Sequence, residues 1–185
     1  MQFWQTILSL IVGGIIAIGG GFAERIYERR KERESLRAAL RAEIQAILAI
    51  VERRNYIAGL SNFIEEIKRG STSLFEIRIK RDYDMVFRSS CGKLGLLPSE
   101  TVAKTVRFYY LISSIIEDLI LLQDASGSVD LRTRYRLDTQ RGNLAFHEEM
   151  WKLSVDAVAL GDDLIRNTKS GLAKIDAGVD PTSDE

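Results

Sequence analysis

Four arginines between positions 132 and 141 form the cluster of polar residues in this chain that is best suited to bind a ligand. Guanidinium groups bind phosphate and carboxylate oxygens through paired N–H donors. The cluster of arginines therefore predicts a phosphate-bearing ligand or an anionic partner. The four are Arg132, Arg134, Arg136 and Arg141. On a helix Arg132 and Arg136 share one face, whereas the other two lie elsewhere and Arg134 can pair with Asp138. The alternative interpretation is a solvated helix face without a ligand.

The chain contains one cysteine, Cys91, and one histidine, His147, which could serve as a nucleophile and its base. Nothing in the local sequence activates the thiol, and a cysteine among small residues at a helix end is typical of packing. His147 lacks the second histidine that a zinc-protease helix needs. Asp82 and Asp84 could hold a divalent ion, but helix capping explains them better. We therefore expect no catalytic residues, no metal and no cofactor.

Composition restricts the partners and the fold class. The charged residues balance, with 26 Lys and Arg against 26 Asp and Glu, so no overall field favours nucleic acid as the partner. Two prolines among 185 residues argue against a sandwich or barrel with frequent turns. With hydrophobic residues at 45%, the chain can bury one core of ordinary domain size.

Residues 3–23, with the sequence FWQTILSLIVGGIIAIGGGFA, carry no charge and are apolar around the whole helix circumference. A helix of this length measures about 31 Å, which matches a hydrocarbon core of about 30 Å. We therefore predict a transmembrane helix here. One alternative is a buried helix of a soluble protein. The other is a signal peptide cleaved near the small residues Gly21 and Ala23, which is disfavoured because a basic amino-terminal region is missing.

The flanks of this segment predict its orientation. Only Met1 and Gln2 precede it, whereas a run of basic residues follows it. Lysine and arginine beside a membrane helix stay on the cytoplasmic side, which predicts an external amino terminus and a cytoplasmic domain at the inner membrane. Anionic headgroups attract basic residues, and amphipathic rings prefer the interface. The predicted interface residues are Trp4, Arg25, Tyr27, Arg29, Arg30 and Lys31.

Small residues recur every four positions within the predicted span, at Ser9, Gly13, Ala17 and Gly21, and every seven positions at Thr6, Gly13 and Gly20. Such a row lets a second helix approach closely and gain van der Waals contact that lipid does not supply. We therefore expect a homo-oligomer in the lipid bilayer, with a protein partner as a further option and nucleic acid disfavoured. The alternative is that glycine is simply common in membrane helices.

Apolar periodicity predicts helices in the first half of the remaining chain. No proline interrupts residues 24–69, so we expect one long helix that begins as a charged stalk and continues with an apolar stripe. Residues 70–73 should end this helix, and an extended connector laid over the bundle is expected at residues 75–80. A short helix should follow, capped by Asp82 and ended by Gly92 or Gly95.

The second half predicts two longer helices. Pro98 opens the first of these, at residues 99–123, which is apolar on more than half of its circumference. A polar loop separates it from helical sequence at residues 131–175, where Gly142 and Gly161 are places for a bend or a break.

These segments combine into an all-α fold with three parts. Residues 1–23 form the transmembrane helix, which is continuous with a long cytoplasmic helix. Residues 24–175 form a three- to four-helix cytoplasmic bundle, and residues 176–185 form a disordered acidic tail.

A pattern around the middle of the chain carries a family resemblance. Residues 83–87 (YDMVF), 93–98 (KLGLLP) and 106–109 (VRFY) resemble a pattern in uncharacterised bacterial proteins with one amino-terminal membrane helix. The resemblance covers about 30 residues plus the position of the anchor. It implies a bacterial or phage setting and supplies no catalytic residues.

Together these features predict a membrane-anchored, non-enzymatic interaction or oligomerisation protein. One alternative is a membrane-perturbing effector, for instance in antiviral defence, whose cytoplasmic domain senses a ligand or partner. The residues in the span that could line a lumen are Gln5, Thr6 and Ser9. A hydrolase is the most distant alternative.

Overall fold

The computed structural model describes the backbone of residues 2–77 and 82–176 and the side chains of residues 24–77 and 82–166. Within these ranges the regular structure is helical throughout and contains no strand, which confirms the predicted all-α class. The helices are α1 (Gln2–Arg53), α2 (Tyr56–Lys68), α3 (Met85–Ser90), α4 (Ser99–Ser126), α5 (Val129–Arg134) and α6 (Gln140–Asp176), with a 3₁₀ helix at Cys91–Leu96.

The chain divides into two compact units, Met1–Ala38 and Ala39–Glu185. In the first unit the side chains of residues 24–31 are exposed, as expected for the charged stalk. The side chains of Trp4 and of the small-residue row lie outside the described residues. The predicted tail at 176–185 also lies outside them, apart from Asp176, which is the last residue of α6. The predicted boundary between the transmembrane helix and the bundle at residue 23 stays a prediction.

No helix with described side chains contains an apolar stretch long enough to cross a membrane. The side chains of the predicted span, residues 3–23, lie outside the described residues. The span therefore receives no support from this finding and stays a prediction.

The prediction of one helix over residues 24–69 is wrong in its second half, because the chain breaks between α1 and α2. Asn55 has a φ of 52°, in the left-handed region that asparagine tolerates better than most residues. Its N–H donates to the carbonyl of Glu52 at 2.9 Å, and its own carbonyl accepts from Gly59 at 2.8 Å, which closes the first turn of α2. At the other end of α2, Gly70 takes a φ of 104° and ends the helix.

The connector after α2 has no regular structure over residues 71–77, and residues 78–81 lie outside the described residues. Its apolar side chains Leu74, Phe75 and Ile77 pack against the helical core. The ring of Phe75 lies 5.5 Å from that of Phe63. The described part of the connector is therefore held to the bundle by apolar contact, in agreement with the prediction that it lies over the bundle.

The short helix α3 begins after Asp84, so the prediction of Asp82 as its cap is wrong. The Asp84 carboxylate makes no capping hydrogen bond and instead pairs with Arg88 at 2.7 Å. Neither Gly92 nor Gly95 has a positive φ, and both lie within the 3₁₀ helix. The segment ends at Leu97, whose backbone is extended and leads into Pro98. The start of α4 behind Pro98 is confirmed.

The predicted helix at 131–175 is interrupted, because α5 ends at Arg134 and α6 begins at Gln140. The break occurs at Arg136, whose φ is 57°, and α6 runs through both Gly142 and Gly161. Glycine is needed at 142 because a Cβ there would collide with the carbonyl of Arg136. At 161, a Cβ would lie 2.9 Å from the Phe108 ring, so this glycine permits close helix packing.

Helices α2, α4 and α6 surround the main core, which supports the helical-bundle prediction. Its buried members are Leu60, Ile64, Leu119, Leu122, Ala125, Leu137 and Met150. The amide of Gln140 donates to the carbonyl of Ile67 at 2.8 Å and so ties the start of α6 to the end of α2.

Candidate ligand-binding groove

A small apolar cleft of about 70 Å³ lies between the carboxyl-terminal part of α1 and helices α4 and α6. Its lining comprises Ile47, Ile50, Val51, Tyr56, Tyr83, Ile112, Ile115, Ile116, Ser154, Ala157 and Val158. Two of the polar groups here have internal partners: Ser154 donates to the carbonyl of Met150 at 2.8 Å, and the Tyr56 hydroxyl accepts from Arg54 at 2.9 Å. The cleft therefore offers almost purely apolar contact.

A second, more polar cleft of about 340 Å³ adjoins the first and shares the lining residues Tyr83, Ile112 and Ile116 with it. The additional lining residues are Asp84, Arg88, Tyr109, Ser113, Glu117 and Ile120. The two clefts are neighbours with part of their lining in common: the first is apolar, and the second is the polar end. We refer to them together as the α1/α4/α6 groove.

Glu43 of α1 positions the segment that forms the polar end. Its carboxylate accepts hydrogen bonds from the backbone N–H groups of Val86 at 2.7 Å and Phe87 at 3.0 Å, and from the hydroxyl of Tyr109 at 2.6 Å. The rings of Phe87 and Tyr109 stack with their centroids 4.1 Å apart. Burial, followed by the hydrogen bond to Glu43, raises the pKa of Tyr109 well above its usual range, so this phenol is a neutral donor.

The described lining of the polar end carries two carboxylates, Asp84 and Glu117, and one guanidinium, Arg88. Arg88 is paired with Asp84, whereas Glu117 pairs with no cation in the described part of the chain. The contact of Glu117 with the Ser113 hydroxyl is long, at 3.5 Å. The negative charge of Glu43 lies directly behind this surface. The lining of the polar end therefore carries one ion pair and one further carboxylate, that of the exposed Glu117.

The structure does not bring the four predicted arginines together as one site. Arg132 donates to the carbonyls of Ala125 at 2.9 Å and Ser126 at 2.8 Å, which satisfies the end of α4. Arg136 occupies the turn between α5 and α6, and Arg134 and Arg141 are exposed.

The expected partner of Arg134 also has another contact. No described ion pair joins Arg134 to Asp138, which instead accepts from the hydroxyl of Thr133 at 3.2 Å. Anion binding by the four arginines stays a prediction.

Cys91 and His147 lie in opposite environments. Cys91 is exposed and its thiol donates to the carbonyl of Phe87, whereas His147 is fully buried on α6 between the rings of Phe63 and Phe146. Burial lowers the pKa of His147. A surface thiol and a fully buried imidazole cannot act together as a nucleophile and base in this conformation.

Helix α6 carries a row of buried polar groups that the sequence analysis missed. Asn143, His147 and Trp151 follow at intervals of four residues and so share one helix face. His147 Nδ1 lies 2.8 Å from the carbonyl of Asn143, and the Asn143 amide donates to the carbonyl of Ser73 at 3.0 Å. The remaining atoms, Asn143 Oδ1, His147 Nε2 and Trp151 Nε1, are buried without a hydrogen-bond partner. Four-residue spacing of polar residues on α6 was the available signal.

One carboxylate outside the groove has a perturbed environment. Burial, followed by the neighbouring charges of Glu149 and Glu117, raises the pKa of Asp118 to about 6. In the described part of the chain, no group of three or more His, Cys, Asp or Glu side chains has an arrangement suited to a metal ion. The Asp82 and Asp84 pair likewise gains no third carboxylate there.

Comparisons with protein-family models, curated proteins and solved structures give no match to this chain. The resemblance carried by residues 83–87, 93–98 and 106–109 stays an expectation.

Proposed function

We propose that the protein is a membrane-anchored, non-enzymatic interaction protein at the inner face of the bacterial membrane. Residues 3–23 form its transmembrane helix, the amino terminus faces outward, and the helical domain lies in the cytoplasm. There the domain binds a second copy of the chain or another protein, and the anchor confines this event to the membrane surface.

The observation that carries the proposal is the extent of α1. Its backbone is a single helix from Gln2 to Arg53, so the uncharged apolar stretch and the basic segment after it belong to one element. The exposed basic side chains of residues 24–31 fit a segment that meets anionic headgroups.

Fractionation of cells that express the full chain tests the anchor. We expect the protein to stay with the membranes after washing at high salt and alkaline pH and to be released only by detergent. A fluorescent reporter at the carboxyl end should report from the cytoplasm. A freely soluble chain, or a reporter outside the cytoplasm, contradicts the proposal.

The mass of the detergent-extracted particle tests self-association. The small-residue row predicts an oligomer that Gly13→Ile reduces to a monomer, because a bulky side chain prevents close helix approach. Gly19→Ile is the matched control, since Gly19 lies off the row. A monomeric wild-type particle, or equal effects of the two variants, argues against association through this row.

The alternative is a membrane effector whose glycine-rich helices assemble to perturb the bilayer, for instance in antiviral defence. The polar residues Gln5, Thr6 and Ser9 within the span favour it, because they could face a lumen. Growth arrest or dye leakage on expression, abolished by bulky residues at Gly13 and Ala17, would support the effector. Harmless expression would support the interaction protein.

A further inference from the structure

We propose that the connector at residues 71–77 is a strap that opens separately from the helical bundle and uncovers a polar and aromatic surface on α2 and α6. This surface comprises Phe63 of α2 together with Asn143 and His147 of α6. All of these residues belong to the second compact unit, so the inference depends neither on the membrane anchor nor on self-association.

Two contacts of the connector enclose the surroundings of His147. The ring of Phe75 lies 5.5 Å from that of Phe63, whose ring in turn lies 5.1 Å from the imidazole. The Asn143 amide donates to the carbonyl of Ser73 at 3.0 Å, and the Asn143 carbonyl lies 2.8 Å from His147 Nδ1. The connector therefore holds two of the groups that contact the imidazole.

Polar atoms beneath the strap are unsatisfied while it is closed. Asn143 and His147 are 1% and 0% exposed, and within the described residues Asn143 Oδ1 and His147 Nε2 have no hydrogen-bond partner. A buried polar atom without a partner lowers stability, and it regains hydrogen bonds when water reaches it. Hydration of these two atoms therefore offsets part of the free energy needed to open the strap.

The connector itself is held more weakly than the helices beside it. None of residues 71–77 is buried, and in the described structure no backbone-to-backbone hydrogen bond links residues 72–77 to a helix. Its side-chain hydrogen bonds to the helices are the one from Asn143 and the one that the Ser126 hydroxyl donates to Glu76. By contrast, α2 and α6 both contribute buried residues to the core. Segments with few buried contacts open at a lower free energy than the core, so the strap should open first.

Modification of His147 by diethyl pyrocarbonate measures this opening, because the chain contains a single histidine. Peptide mass mapping of the purified full chain follows the reaction at neutral pH. When reclosing is fast, the reaction rate is proportional to the population of the open state. We expect a rate that is nearly independent of urea at low urea, since opening the strap exposes little surface. A logarithm of the rate that instead rises from zero urea with the full slope of global unfolding would overturn the proposal.

A pair of phenylalanine variants locates the opening. Phe75→Ala removes the ring contact between the strap and α2 and should raise the rate at low urea about tenfold. Phe87→Ala is the matched control, because Phe87 is also half-buried but stacks on Tyr109. It should lower the urea midpoint of global unfolding and leave the rate at low urea unchanged. Equal acceleration by both variants would overturn the proposal.

Hydrogen exchange distinguishes the strap from a wider opening. The amides of α2 and α6 near Phe63 and His147 should keep their protection under conditions in which His147 reacts. Loss of this protection together with the reaction would overturn the proposal, because the helices would then be the opening unit. The absence of any reaction of His147 without urea would also overturn it, because the strap would then stay closed.

Discussion

The carboxylate of Glu43 should be a major polar contributor to the stability of the helical domain, because it accepts three hydrogen bonds from groups 43 to 66 residues away. Glu43→Gln replaces one oxygen by an amide NH₂ group, which then faces a donor. A hydrogen bond to a charged group contributes about 1.5–3 kcal/mol, and an unsatisfied buried donor costs about 1–3 kcal/mol. We therefore expect this variant to lose about 3 kcal/mol of the free energy of unfolding.

Tyr109→Phe removes one of the three donors and retains the ring that stacks on Phe87. The expected loss is about 1.5 kcal/mol. Glu43→Gln and Tyr109→Phe both weaken the same 2.6 Å hydrogen bond, so the double variant should lose about 1 kcal/mol less than the sum of the two single losses.

Urea unfolding of the full chain, followed by circular dichroism, measures all four proteins of this cycle. Tyr110→Phe is the control, because Tyr110 is the neighbouring tyrosine and is 76% exposed. If Tyr109→Phe costs no more than Tyr110→Phe, or if the losses from Glu43→Gln and Tyr109→Phe are additive, the role assigned to Glu43 is refuted.

Three further predictions concern stability. Burial lowers the pKa of His147, so below about pH 6.5 the unfolded chain binds a proton that the folded chain does not. The free energy of unfolding should therefore fall as the pH drops below 6.5. His147→Phe should flatten this part of the pH profile. The pKa of Asp118 is raised to about 6, so its charge opposes folding above pH 6, and this penalty disappears as the pH falls towards 4. Asp118→Asn should therefore raise the free energy of unfolding by about 1 kcal/mol at pH 8, after discount for solvent screening, and leave it unchanged at pH 4. Arg136→Gly should add about 0.5 kcal/mol, because glycine adopts a φ of 57° without steric cost but loses more entropy on folding.

Urea unfolding between pH 4 and pH 8 checks these predictions, each against its own control. An unchanged pH slope in His147→Phe would show that this imidazole is not held neutral by burial. Asp124→Asn should show no pH-dependent gain, and an equal gain there would remove the explanation for Asp118. Arg136→Ala should not stabilise, since alanine retains the Cβ that disfavours the left-handed region.

Helix content and several helix bounds could be predicted from the sequence because the signals for them are local. Apolar residues recur at three- and four-residue intervals along α4, and Pro98 marks its start, so the prediction for residues 99–123 ends within three residues of Ser126. The two unpredicted breaks are at residues with no strong local signal. Asn55 and Arg136 take left-handed conformations inside otherwise helical patterns, and the apolar spacing around them gives no sign of a break.

The candidate site was not predictable for a related reason. Tyr83 and Val158 line the same cleft, and Glu43 contacts Tyr109, yet no spacing in the chain connects these residues. The sequence analysis instead selected the arginines between 132 and 141, which are close in sequence. The structure uses Arg132 to satisfy the end of α4 and places Arg134 and Arg141 at the surface.

The order of residues along this chain was sufficient to determine that it is helical and where most of its helical sequence lies, because helix periodicity and capping depend on neighbours within about four positions. Only the tertiary structure decided which helix faces meet, that Glu43 holds the segment before α4, and that His147 is enclosed. These features depend on contacts between residues far apart in the sequence, whose proximity exists only after the helices have packed.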